Sequence, residues 1–166
     1  MADFDPRAIF DALDRHGVSY VLIGGMAAIL HGASHVTTDV DVVPQDARDN
    51  LGRLSEALHE LHARIRVHGE RDGVPFDIAP ESLARVRLWN LQTDVGDLDL
   101  TFEPAGTRGF EDLKRDAIVM HLRSGDVPVA SLADVIRSKE AADRPRDRAA
   151  LPGLRALLSS ERRAAR

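Results

Sequence analysis

The 166-residue chain contains no cysteine, which excludes both a disulfide framework and a thiolate metal site and suits a reducing compartment, so a cytoplasmic protein is expected. Aromatics are scarce: one Trp (Trp89), one Tyr (Tyr20) and five Phe, leaving little with which to stack the bases of a single strand. No segment approaches the roughly 20 apolar residues of a membrane span. Met1–Pro6 opens acidic, without a basic region and an apolar stretch, so neither a membrane partner nor a signal peptide is expected. Apolar residues at 43% and charged residues at 30% lie well away from the composition of disorder. With no repeat and no low-complexity linker, residues 1–166 are expected to form a single domain, sheet-containing to about residue 130 and helical beyond it.

Charge is unevenly placed. The chain carries a net −5, yet residues 135–166 hold nine Lys/Arg against four acids. A cationic end on an acidic body suits an anionic partner, a triphosphate or a nucleic acid; a solvated helix face with a basic tail has the same composition.

Apolar spacing predicts a helix over Phe4–His16 stopped by Gly17, a strand over Val18–Ile23, a Gly24-Gly25 turn and a helix over Met26–His31. Thr37–Val43 is β-branched with acids at alternate positions, which predicts a strand ended by Pro44. Leu51, Leu54, Leu58 and Leu61 predict a helix over Asp46–Leu61. Short strands are expected around Arg64–Val67, Phe76–Ile78, Leu88–Gln92 and Leu98–Phe102, then a helical turn over Phe110–Arg115. A hairpin about Gly125 should pair Ala117–Leu122 with Val127–Val129. Ser131 is placed to cap a helix through Ala142, and Pro145 and Pro152 frame the start of a last helix.

Two features carry chemistry. Side chains alternate along a strand, so Asp39 and Asp41 share one face while Val40 and Val42 take the other. Like charges that close raise each other's pKa, and a divalent cation is the usual remedy; oxygen ligands without Cys or His favour Mg²⁺ or Mn²⁺ over zinc. Upstream, Gly24-Gly25 lets backbone N–H groups approach a phosphate at the start of a helix. Taken singly, the acids also fit a solvated edge strand and the glycines a plain tight turn. His59 and His62, three apart on a helix, with His68 nearby, raise a zinc reading, but no further ligand is well placed and solvated or packed histidines are the simpler account.

Together, Gly24-Gly25-Met26-Ala27, His31-Gly32 and Thr37-Thr38-Asp39-Val40-Asp41 resemble the signature of the polymerase-β-type nucleotidyltransferases, a Gly-Gly or Gly-Ser turn before an Asp-x-Asp strand. Ser138-Lys139-Glu140-Ala141-Ala142 followed by Arg144-Pro145-Arg146-Asp147 is similar to the C-terminal helix and turn of small bacterial members, including AbiEii-type and MenT-type toxins. The resemblance implies an α/β (α+β) nucleotidyltransferase fold, a mixed twisted β-sheet flanked by helices with helices at its C-terminus. It implies a third acid on a later strand: Asp99, with Asp97 as the competing choice and Asp77 a weaker one. Asp39, Asp41 and Asp99 would then hold Mg²⁺ or Mn²⁺. Gly24, Gly25, Thr38, Lys139 and Arg146 would contact an NTP, Lys139 also acting in catalysis, with Asp147 as a further site candidate. Many members carry arginine where this chain has His35, a weaker phosphate contact at neutral pH.

The resemblance further implies transfer of an NMP from an NTP to an acceptor hydroxyl, Asp99 taking its proton. Toxin-like relatives act on the 3′ end of tRNA, which the basic C-terminal region could track, and would have a cognate antitoxin as partner. Other relatives modify a protein side chain or an aminoglycoside. A pseudoenzyme that keeps the fold and binds nucleotide or a partner protein without turnover is the competing class.

Overall fold

The computed structural model describes residues 3–166; Met1 and Ala2, part of the acidic opening, lie outside them. Helix α1 (Pro6–Arg15) starts where the Asp5 carboxylate accepts hydrogen bonds from the amides of Arg7 and Ala8, with Pro6 supplying the fixed φ of the first turn. Strand β1 (Tyr20–Ile23) runs directly into helix α2 (Gly24–Leu30), so the two glycines are the first turn of the helix and not a separate loop. Strand β2 (Asp39–Pro44), helix α3 (Arg48–Glu60) and the short strand β3 (Arg64–Ile65) follow.

The expected strand at Phe76–Ile78 does not form. Val74 makes an isolated bridge to Ile65, and beyond it the Asp77 carboxylate accepts from the Ala79 amide and the Ser82 hydroxyl. Those local bonds satisfy the backbone as the start of a helix, α4 (Pro80–Arg85), which no spacing announced. Asp77 is thereby spent on a turn, away from the other acids. The hairpin β4 (Leu88–Thr93) and β5 (Gly96–Thr101) comes next, then helix α5 (Phe110–Lys114) and the hairpin β6 (Ile118–Leu122) and β7 (Gly125–Val129). Helix α6 (Leu132–Ala142) opens on the expected Ser131 cap. Helix α7 (Pro145–Ala164) starts at Pro145 and continues through Pro152.

The strands form one seven-stranded sheet in the order β3-β4-β5-β2-β1-β7-β6. β2 lies parallel to β5 and antiparallel to β1, and β1 lies parallel to β7, so the sheet is mixed. Register decides the rest: Asp39 stands opposite Asp97 and Asp41 opposite Asp99, while Val40 and Val42 stand opposite Leu98 and Leu100. Those four apolar side chains are fully buried, in a cluster they share with Ile9 and Leu13 of α1 and Leu51, Leu54 and Leu58 of α3. One face of the central strands is therefore core, which pins the register, since a one-residue slip would exchange valines for aspartates. No helix among the described residues is long and apolar enough to cross a membrane.

Leu98→Ala should cost about 2–5 kcal/mol of unfolding free energy through lost burial and a residual cavity, read from urea melts followed by circular dichroism. A loss under about 1 kcal/mol would mean that the face behind the aspartates is not tightly packed.

Candidate metal and nucleotide site

Asp39, Asp41 and Asp99 each offer a carboxylate oxygen within 4.8 Å of the others, and among the described residues they are the only group of three or more potential ligands so placed. The parallel β2–β5 register builds this cluster. Asp99 is 8% exposed and Asp41 partly buried. Burial pushes the Asp41 carboxyl up to about 7, with the charges of Asp39 and Asp99 adding to the shift and those of Arg146 and Lys139 opposing it. Asp99 is raised as well, by burial first, against the pull of Arg66 and with help from Asp39 and Asp97. Three crowded, partly desolvated carboxylates with no Cys or His among them fit a hard divalent cation such as Mg²⁺ or Mn²⁺, which would remove the repulsion they now bear. The histidines of the zinc reading take no part: His62 pairs with Asp94 at 2.5 Å, and His59 and His68 are exposed.

Gly24 closes the cluster from the α2 side. Its φ is +75°, and a Cβ there would overlap Asp41 Oδ2 and lie 2.8 Å from Asp41 Cγ. Glycine is required on both counts, by the left-handed backbone and by contact with the carboxylate. A Cβ on Gly25 would lie 3.0 Å from Thr37 Oγ1 and 3.4 Å from His35 Nε2, which places His35, though exposed, beside the first turn of α2. No side chain caps that turn, so its amides are left for another acceptor. Thr38 is exposed; the hydroxyl that meets the acids is that of Thr37, which donates to Asp39 Oδ1 at 2.8 Å.

The facing wall comes from the α6–α7 junction. Asp147 is completely buried and accepts from Lys139 Nζ at 3.4 Å and from Arg144 Nε at 2.6 Å. Its pKa is lowered because Arg144 and Lys139 outweigh a burial that works the other way. Asp147 thus anchors two cations instead of facing a ligand itself. Arg144 was not singled out by its motif, though its spacing of three from Asp147 on a helix start was a usable signal; its own pKa is raised by Asp147, with Asp41 and Asp39 contributing. Arg146 is exposed and acts on Asp41 through its charge.

Sequence spacing also missed Arg66, just past β3. Its guanidinium donates to Asp99 Oδ1 at 2.9 Å and Oδ2 at 3.2 Å, and its other nitrogen pairs with Asp97 Oδ2 at 2.8 Å. Asp97, the competing third acid, shares the open face with Asp99 but lies outside the three-carboxylate group and in register with Asp39.

Solved structures share this architecture. The chain is similar to the lincosamide antibiotic adenylyltransferase LnuA in its lincomycin-bound form, with a TM-score of 0.59, 15% identity and coverage of 93% of this chain and 99% of that one. It is similar to TM1012, a candidate nucleotidyltransferase of Thermotoga maritima, with a TM-score of 0.55, 16% identity and 96% and 97% coverage. The antibiotic-resistance factor ANT(2'')-Ia gives a TM-score of 0.55, 16% identity and coverage of 93% of this chain and 81% of that one. No family model and no curated protein matches the chain. At these identities the likeness shows the fold, that of the nucleotidyltransferases.

The raised Asp41 pKa sets a pH dependence. The folded protein keeps a proton that the unfolded chain releases near the ordinary value of 3.8. Asp41 therefore contributes stability below about pH 4 and loses it as the pH rises through about 7. In metal-free buffer this carboxyl should make the Tm fall between about pH 4 and 7, and Asp41→Asn should flatten that fall. Identical profiles for the two proteins would refute the burial-and-repulsion account of this carboxyl.

Proposed function

We propose that this chain is a metal-dependent nucleotidyltransferase that moves an NMP from an NTP to an acceptor hydroxyl. The observation that carries this reading is the carboxylate group Asp39, Asp41 and Asp99 near cations held by α6–α7, in a fold similar to that of a known adenylyltransferase.

Divalent ions bound by the three carboxylates would neutralise phosphate charge and polarise the reacting oxygens, as in other two-metal phosphoryl-transfer sites. The chain's own groups do the rest. The first-turn amides at Gly24 and Gly25 approach the phosphates where no Cβ intervenes, and Thr37 fixes the rotamer of Asp39 through its hydroxyl. Lys139, Arg144 and Arg146 stabilise the charge that grows on the leaving pyrophosphate, Lys139 and Arg144 held for that task by buried Asp147. Asp99 orients the acceptor hydroxyl and takes its proton as the oxygen attacks the α-phosphorus and the bond to pyrophosphate breaks.

A small hydroxylated molecule is the favoured acceptor. Two observations support it: the likeness over most of this chain to a lincosamide antibiotic adenylyltransferase and to an antibiotic-resistance factor, and the internal pairing of the basic C-terminal region. Arg144 and Lys139 are engaged by Asp147, Arg148 by Asp143, Arg155 by Glu140. That pairing leaves less free charge for a nucleic-acid backbone than the composition suggests. The tRNA 3′ end and a cognate antitoxin follow from the toxin-like resemblance alone.

The test incubates the protein with labelled NTPs and Mg²⁺ against lincosamides, aminoglycosides, tRNA and protein acceptors. Asp39→Ala and Asp41→Ala should each lower transfer by roughly a thousandfold or more, and Lys139→Ala by about a hundredfold, mainly in kcat. Transfer that survives both aspartate substitutions would sink the mechanism. Saturable nucleotide binding without labelled product on any acceptor would favour a binding module.

A further inference from the structure

Among the described residues Arg66 is the one cation in direct contact with the carboxylate group, and it contacts Asp99, whereas the α6–α7 cations act by charge on Asp41. Its place is built into the sheet. The Arg66 amide donates to the Asn90 carbonyl at 2.9 Å, and Asn90 stands in register with Asp99. The guanidinium then covers both oxygens of Asp99, and its far nitrogen is held by Asp97. It is two-thirds shielded from solvent, so its ion pairs are screened less than those on an open surface. Both Asp99 oxygens accept from one guanidinium nitrogen, so a divalent ion that takes Asp99 must share those oxygens with a positive charge or displace it.

We propose that Arg66 is a resident counter-cation for Asp99: it holds the third carboxylate aimed at Asp39 and Asp41 in the metal-free protein and competes with the divalent ion for it. The inference rests on the metal-dependent reading above and extends it to the order of assembly. Asp39 and Asp41, which have no arginine on them, engage an ion first. Asp99 joins when the positive charge of the ion displaces the guanidinium toward Asp97, whose carboxylate is already on its far nitrogen. Arg66 acts through Asp99 and touches no atom of the substrates in this account, so it is a positioning residue.

Because the claim concerns competition, binding and stability report on it directly. Mn²⁺ titrations followed calorimetrically, without nucleotide, should show Arg66→Gln binding about tenfold more tightly than wild type, as expected when a positive charge is removed from beside a cation site. Arg66→Lys, which keeps the charge but loses the fork that holds Asp99 on one nitrogen and Asp97 on the other, should fall between them. By linkage, metal-free Arg66→Gln should melt below wild type and the gap should close at saturating Mn²⁺, since the ion replaces the missing charge. A merely structural arginine would leave the gap unchanged. Equal Mn²⁺ affinity in wild type and Arg66→Gln, or a melting gap that metal does not close, would overturn this inference alone. Mn²⁺ binding by neither protein would overturn it together with the metal-dependent reading. If Arg66→Gln fails to fold, the same affinity comparison is made with Arg66→Lys, where affinity equal to wild type is the refuting result.

Discussion

Three carboxylates held on one face of a sheet constrain everything else in this protein. Their mutual repulsion and partial burial oppose folding, and the raised Asp41 and Asp99 pKa values express that opposition. What holds them is the core behind them: Val40, Val42, Leu98 and Leu100 are buried completely on the reverse of the same two strands. Shifting the acids apart would carry those side chains out of the core. The sheet thus trades apolar burial on one face for electrostatic strain on the other, the sort of local conflict expected where a ligand completes the structure.

Positive charge around the acids is divided into two sets with different freedom. Lys139 and Arg144 are tied by a buried aspartate on the helices that follow the sheet, so their positions do not depend on a ligand. Arg66 is tied to the acids themselves. The first arrangement suits a preorganised wall for phosphate oxygens, where donors already in place need no reorganisation during reaction. The second suits a cation that yields its place. In the proposed reaction the two sets also give the site a direction, with the phosphates on the α6–α7 side.

Much of this was legible in the residue pattern. Alternation over Thr37–Val43 puts Asp39 and Asp41 on a common face because strand geometry has a period of two, and the glycine pair at a strand–helix junction is as local a signal. Asp99 was legible only through its family resemblance, since the parallel pairing that sets it opposite Asp41 joins segments far apart in sequence. Arg66 was not legible, because its role depends on β3 and β4 delivering it to Asp99 across the sheet. The expected strand at Phe76–Ile78 failed for a different reason. Its apolar residues read as a strand, but Asp77 bonding to Ala79 and Ser82 commits the backbone to a helix start, and side-chain competition of that kind is invisible to an apolar count.

The basic C-terminal region shows why net charge is a poor guide to a ligand. Nine Lys/Arg against four acids in residues 135–166 suggested an anionic partner, yet the four acids are not spread evenly over those nine cations. Asp147 is buried and serves two of them at once, and Asp143 and Glu140 each hold one more. What such pairing changes is location. Surface pairs of this kind contribute little to stability, but they orient guanidinium groups along the helices, while the buried pair at Asp147 fixes Lys139 and Arg144 beside the acids. The charge that matters to function is therefore the small part aimed at Asp41, where it lowers a pKa, and not the excess along the tail. On α7, Arg148 and Arg155 are held in ion pairs while Arg146, Arg162 and Arg163 carry none among the described residues, so pairing reduces the charge open to a polyanion without removing it. The gathering of Lys139 and Arg146 near Asp41 is what supports a nucleotide as the anion of the proposed reaction.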